Sequence, residues 1–174
     1  MSSRSHGGEV VVGTDGSPHG DAALDWAAAE AYRRGARLHV VHVWRASPPP
    51  IPPLAPPPAV NGPDTDKARA RRVLDRAVAR VLGACSEEPP ELCPHLVEGS
   101  PRSVLLDMSG DADLLVVGSR GRSRFAGLLL GSVSRAVAGH AACPVVVVPT
   151  PVPRLPRQRS PREAGARTPV GAHR

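Results

Sequence analysis

Aromatic residues make up only 2% of this 174-residue chain, and Lys67 is its single lysine. With 41% of residues hydrophobic, one sizeable core is expected, built from Ala, Val and Leu rather than rings. The three cysteines, Cys85, Cys93 and Cys143, form no CxxC pair and share no metal-ligand spacing with histidine. That argues against a zinc site, a redox pair or a disulfide scaffold. No apolar run approaches the roughly 18 residues of a membrane span. The opening MSSRSHGGEV also lacks the apolar stretch of a signal peptide, so the expectation is a cytoplasmic protein.

What the chain does have is basic charge, a formal +6, and its location matters. Residues 150–174 hold six arginines and one glutamate, leaving +5 there, whereas residues 1–149 carry 16 basic against 15 acidic side chains. The body is nearly neutral, so nucleic acid and membrane surfaces are not expected partners. Proline is equally uneven. Nine of the 21 prolines fall in residues 46–63 and five in residues 150–174, and neither segment suits a helix interior or a central strand. The expected organisation is a domain over residues 1–149, interrupted by the Pro-rich insert 46–63, then a basic, disordered tail 150–174.

Within the domain, short Val-rich runs alternate with helical patterns. Glu9 to Gly13 reads as a strand, followed by the turn Thr14-Asp15-Gly16-Ser17. Ser17 as N-cap and Pro18 at the first helical position open an Ala-rich helix that Gly35 ends. Arg37 to Trp44 predicts a second strand, and Thr65 to Leu82 a helix with Val73, Leu74, Ala77, Val78 and Val81 on one face. A weaker strand is expected over Glu91 to Val97, then a helix over Pro101 to Ser109. Asp113 to Val117 reads as a fourth strand, Ser132 to His140 as a helix, and Pro144 to Val148 as a fifth strand. Strands alternating with helices predict an α/β fold with a doubly wound parallel sheet. The first, second, fourth and fifth strands are almost continuously apolar, as strands buried on both faces are. In such sheets ligands bind beyond the carboxyl ends of the strands, where strand order reverses.

The stretch with the most chemistry follows the fourth strand: Gly118-Ser119-Arg120-Gly121, nine residues, then Gly131-Ser132. Small residues after a strand let a backbone approach phosphates, and the helix opened at Ser132 turns its N–H groups and positive dipole end toward an anion. Arg120, Arg122 and Arg124 add positive charge. The loop is not a Walker motif, because Lys67 lies far from any glycine cluster, and it does not read GxGxxG. Asp15, at the end of the first βα turn, faces the same crevice. It serves either a ligand's sugar hydroxyls or base, or its own backbone as a turn residue. His39 and His42 stand on opposite faces of a strand and cannot share a metal. His140 suits a helix dipole, Asp111 and Asp113 read as turn and cap, and Cys143 reads as buried and structural. No GxSxG and no acid/base pair is present.

VVVGTDGS at Val10 to Ser17, VVHV at Val40 to Val43, and DLLVVGSRGR followed by GSVSRAVAGHAACPVVVV resemble the universal stress protein family. The resemblance covers Glu9 to Val148, and the glycine spacing is that of the ATP-binding members. It implies a five-stranded parallel sheet in the order 3-2-1-4-5, with helices on both faces. It also implies homodimers that pair their last strands, here Val145, Val146, Val147 and Val148. ATP, with or without Mg2+, would place adenine near Gly13, Asp15 and the backbone of Val43. Its phosphates would meet Gly118, Ser119, Arg120, Gly121, Arg122, Ser123 and Arg124, and Gly131, Ser132, Val133 and Ser134. The implied function is an ATP-binding stress-response regulator acting on an unknown protein partner through conformational change, not an enzyme. The alternatives are a slow ATP hydrolase or transferase on the same sheet, or an interaction module using the insert and the tail.

Overall fold

The computed structural model describes residues 8–47, 63–84, 89–121 and 130–149. Arg122, Ser123, Arg124, Cys85, nearly all of the Pro-rich insert and the tail from residue 150 lie outside the described residues. The elements run β1 (Glu9–Gly13), α1 (Pro18–Arg34), β2 (Arg37–Trp44), α2 (Pro63–Ala84), β3 (Leu92–Glu98), α3 (Pro101–Met108), β4 (Leu114–Gly118), α4 (Ser132–His140) and β5 (Val145–Val148). All neighbouring strands pair in parallel, in the order β3-β2-β1-β4-β5. The chain therefore builds outward from β1 to β3 and then returns to add β4 on the other side of β1.

Strand alternation divides the core in two. Val10, Val12, Leu38, Val40 and Val116 face α1 and α2, where they meet Ala23, Leu24, Ala27 and Ala31. Alanine at these α1 positions brings the helix axis close to the sheet, which is how a chain with so few aromatics fills its interior. Val11, Val41, Leu115 and Val117 face the other way, onto Leu105 of α3 and Val137 of α4. The caps of α1 are as the sequence predicts. Ser17 Oγ accepts from the Gly20 amide at 3.2 Å, and Gly35 ends the helix at φ 62°, a left-handed conformation suited to glycine.

Several expectations need correction. The second helix starts at Pro63 rather than Thr65 and ends at Ala84, and Val78 is only half-buried. Pro63 falls in the first turn, where its missing N–H costs no helical hydrogen bond. The fifth strand is not buried on both faces. Its four valines are all half-buried, because β5 is an edge strand paired with β4 alone among the described residues. Cys143 is likewise half-buried, packed at the margin of the α3/α4 core. The third and fourth strands each lie one residue further on than expected.

His39 and His42 do lie on opposite faces, and His39 finds a partner that sequence spacing does not reveal. Its Nδ1 lies 2.9 Å from Nε2 of His95 on β3, with the two rings stacked, and its Nε2 lies 2.6 Å from Glu9 Oε2. Arg37 Nε donates to the same carboxylate at 2.9 Å. Burial pushes the Glu9 carboxyl up, and Arg37 and His39 more than offset it, so Glu9 sits below the ordinary 4.5. Burial, with the adjoining His39, holds His95 below the ordinary 6.5. A lowered histidine value means that the unfolded chain takes up its proton first, so stability is full above pH 6.5 and declines below it. Glu9 contributes above pH 4.5 and is lost as pH falls through its own lower value. Thermal melting followed from about pH 8 to about pH 2 should therefore show two declines, with His95→Gln removing the first. An unchanged pH profile in His95→Gln would show that His95 does not govern it.

Candidate functional site

The turn after β1 is built by its own polar atoms. Thr14 N–H donates to Val41 O at 2.9 Å, tying the turn to β2, while His42 Nδ1 donates to the Thr14 carbonyl at 2.8 Å. Gly16 has φ 72°, which a side chain would strain. Asp15 Oδ1 accepts from the Ser17 amide at 3.0 Å, so one oxygen does the turn's work. The other, Oδ2, faces β4: a β-carbon at Gly121 would lie 2.9 Å from it, and one at Gly20 would lie 2.9 Å from Oδ1. The carboxylate is thus held in a slot between two glycines. The turn reading of Asp15 is met by Oδ1, on the Ser17 amide.

At the end of β4 the backbone is packed harder still. A β-carbon at Gly118 would come within 2.5 Å of the His19 carbonyl oxygen and 2.7 Å of its carbon, so the first turn of α1 rests directly on this glycine. Ser119 N–H donates to Val148 O at 2.8 Å, and Ser119 O accepts from Gly131 N–H at 2.8 Å. That last bond brings the far end of the glycine stretch back beside its start. Gly131 is the N-cap of α4 and offers no capping side chain, while buried Ser134 donates to Gly118 O at 2.6 Å and anchors the first turn. Gly131 itself is not required by crowding, since a β-carbon there would make ordinary contacts of 3.5 Å and more.

These pieces enclose a cavity of about 440 Å³ beyond the carboxyl ends of β1 and β4, where strand order reverses. Gly13, Asp15, Val43, Gly118, Arg120, Gly121, Gly131, Ser132, Val133 and Ser134 all line it, as one site. Ser119 does not. Its hydroxyl lies 3.3 Å from His19 Nδ1, behind the wall. Thr14, Gly20, Pro101, Leu105 and Arg135 also line the cavity and are missed by motif reading. Leu105 belongs to a short helix whose neighbours only the fold reveals, whereas Arg135 stands one residue past the motif. His140 behaves as expected, its Nδ1 donating to Ala136 O at 3.0 Å in the last turn of α4. Asp113 Oδ2 accepts from the Glu9 amide at 2.7 Å, at the opposite edge of the sheet. Among the described residues no group of three His, Cys, Asp or Glu side chains is arranged to hold a metal, and no helix is long and apolar enough to cross a membrane.

The model of the Universal stress protein family matches residues 8–149. The chain belongs to the universal stress protein family. A universal stress protein of Mycobacterium tuberculosis is 36% identical over 144 residues, which are 82% of this chain and 44% of that protein. The chain spans about half the length of the curated relatives it matches. Solved structures of the family share the fold, and two of them serve for comparison. One is a universal stress protein in complex with cAMP, 31% identical with a TM-score of 0.62, covering 83% of this chain and 98% of that one. The other is the universal stress protein of Archaeoglobus fulgidus in complex with dAMP, 25% identical with a TM-score of 0.58, covering 80% and 96%. The basic tail lies past the family match.

In this family member the weight of the site falls on the contact between Gly118 and His19. Backbone cannot move aside as a side-chain tip can, so Gly118→Ala forces β4 and α1 apart and should cost about 1–3 kcal/mol in chemical denaturation. Gly131→Ala, with ordinary contacts, should cost well under half of that. Equal losses at the two positions would show that the β4–α1 contact is not the tight one.

Proposed function

We propose that this universal stress protein binds ATP in the cavity beyond β1 and β4, and that the nucleotide regulates the protein's shape rather than being consumed. The observation that carries this reading is the convergence of Asp15, the glycine turn at Gly118 to Gly121 and the uncapped start of α4 on one cavity. The relatives solved with cAMP and dAMP support an adenine nucleotide as the ligand. Gly13 and the backbone of Val43 fit the base, and Asp15 Oδ2 fits ribose hydroxyls. The N–H groups of Ser132, Val133 and Ser134, with Arg120, fit phosphates, because a helix start attracts anions. A Mg2+ ion would arrive with the phosphates.

ATP bound in this way joins the turn after β1, the end of β2 and the β4–α4 connection. A cytoplasmic partner that prefers the joined form would, by linkage, bind more tightly when ATP is present. Slow turnover is expected, since no lysine reaches the site and nothing in it is assigned to position water. Calorimetry with ATP on nucleotide-stripped protein, beside a phosphate-release assay, tests both halves. Gly121→Val displaces the Asp15 carboxylate and should abolish the binding heat while circular dichroism stays unchanged. Ser132→Ala should weaken binding by about 1 kcal/mol, the scale of one hydrogen bond. No binding heat in the parent protein removes the ATP reading, and turnover near one per second or faster makes the protein an ATP hydrolase.

The homodimer belongs to the same proposal. β5 is a half-buried edge of four valines, and a bare edge of that kind invites pairing. Pro144 and Val148 turn their carbonyls to β4, accepting from Leu115 and Ser119, so by alternation Val145 and Val147 present theirs outward. Pairing with a two-fold mate would cover that edge. Val147→Pro removes an outward N–H without touching the β4 ladder, and sedimentation should show the dimer become monomer. A monomeric parent protein at high concentration overturns the dimer.

A further inference from the structure

Beside the nucleotide cavity lies a second basin of about 750 Å³. The two share a wall made of Val43, Pro101 and the first turn of α4, including Arg135. The basin's other side chains include Arg45, Arg102 and His140, with apolar Val133 and Ala136, and no carboxylate among the described residues lines it. Arg45 Nε donates to the Gly99 carbonyl at 3.2 Å.

The distribution of arginine partners sets this basin apart. On α1, α2 and β2, Arg33, Arg34, Arg37, Arg69, Arg71 and Arg80 are each paired with a carboxylate. Among the described residues, the arginines that form no ion pair are Arg72 and Arg76 on the exposed side of α2, and Arg45, Arg102, Arg120 and Arg135. The last four all stand around the two adjoining cavities. Four guanidinium groups that form no ion pair among the described residues, set around two adjoining cavities, favour a ligand that brings negative charge. Arg120 and the start of α4 suffice for the phosphates of a mononucleotide in the first cavity. Arg45 and Arg102 stand beyond the shared wall, in a space that is itself within the usual range for a small-molecule site.

We infer that the two cavities form one composite site for a dinucleotide, two nucleoside units joined by phosphates. The second unit would place its anionic groups among Arg45, Arg102 and Arg135 and its base against Val43, Pro101 and Val133. This inference rests on the nucleotide reading of the first cavity and adds the class of ligand that fills it. A mononucleotide leaves Arg45 and Arg102 unmatched, whereas a dinucleotide matches them.

The probe is diadenosine tetraphosphate, which carries a charge similar to that of ATP, so that an advantage over ATP reports the second unit rather than charge. On nucleotide-stripped full-length protein, calorimetry should give the dinucleotide about tenfold higher affinity than ATP, the scale of one charge-assisted hydrogen bond. The double variant Arg45→Ala/Arg102→Ala should lose that advantage and hold ATP within about twofold of the parent. Equal affinities for the two ligands in the parent, or an advantage that survives in the double variant, overturns the composite site and leaves the ATP reading standing. Binding of neither ligand overturns both. Gly121→Val separates the two cavities further: it should abolish ATP binding and, with the first unit unseated, dinucleotide binding too. A dinucleotide that binds Gly121→Val at parent affinity overturns the shared site.

Discussion

Where α1 meets the end of β4, the His19 carbonyl comes so near Gly118 that no β-carbon fits between them. The rest of the carboxyl edge is arranged around that contact. With α1 resting on the end of β4, the turn from Thr14 to Ser17 has only a short span in which to reverse. It manages this with Gly16 in a left-handed conformation and with Asp15 Oδ1 on the Ser17 amide. The second carboxylate oxygen is then aimed across the gap at Gly121, the next position where a side chain would intrude. Ser134 ties the first turn of α4 to the carbonyl of the same Gly118. A strand end, two helix starts and a carboxylate are therefore positioned by one close backbone approach, and the cavity is the space they leave.

Most of this edge was legible in the sequence, for a physical reason. Turn chemistry is local, so Thr14-Asp15-Gly16-Ser17-Pro18 and Gly131-Ser132 announce a turn and a helix start within a few residues. The valine runs and the alanine spacing of α1 report burial through period, which is also local. What was not legible depends on which strands become neighbours. The pairing of His39 with His95 joins residues 56 apart, and nothing at either histidine signals the other. The four valines of β5 read as a doubly buried strand, because an edge strand with half-buried side chains carries the same apolar run as a central one. Leu105 and Arg102 of α3 and Arg45 after β2 reach the cavities from two segments whose convergence is a property of the 3-2-1-4-5 order.

The two ends of the sheet illustrate different uses of the same residue types. At the amino ends of the strands, Glu9 gathers Arg37 and His39, and His39 meets His95. The charged groups of that cluster are paired with one another, and the pairing bears on the stability of the sheet. At the carboxyl ends, Asp15 is the only carboxylate among the described residues that lines either cavity, and it is shared with the backbone of its own turn.

Net charge alone would have missed this contrast. Residues 1–149 are nearly neutral, and a neutral body does not by itself attract an anion. Neutrality over the whole body conceals an uneven placement: the carboxylates answer arginines along α1, α2 and β2, which leaves a positive surplus at the mouth. Exposed guanidinium groups cost little while solvated, so the fold tolerates them without partners. Inside a concave site their fields add, and the screening that weakens them across open solvent is reduced once a ligand displaces the water. A surplus kept where strand order reverses and helix α4 begins acts in the same direction as that helix's dipole. Sequence-level charge counts average over these placements, and the fold is what separates them.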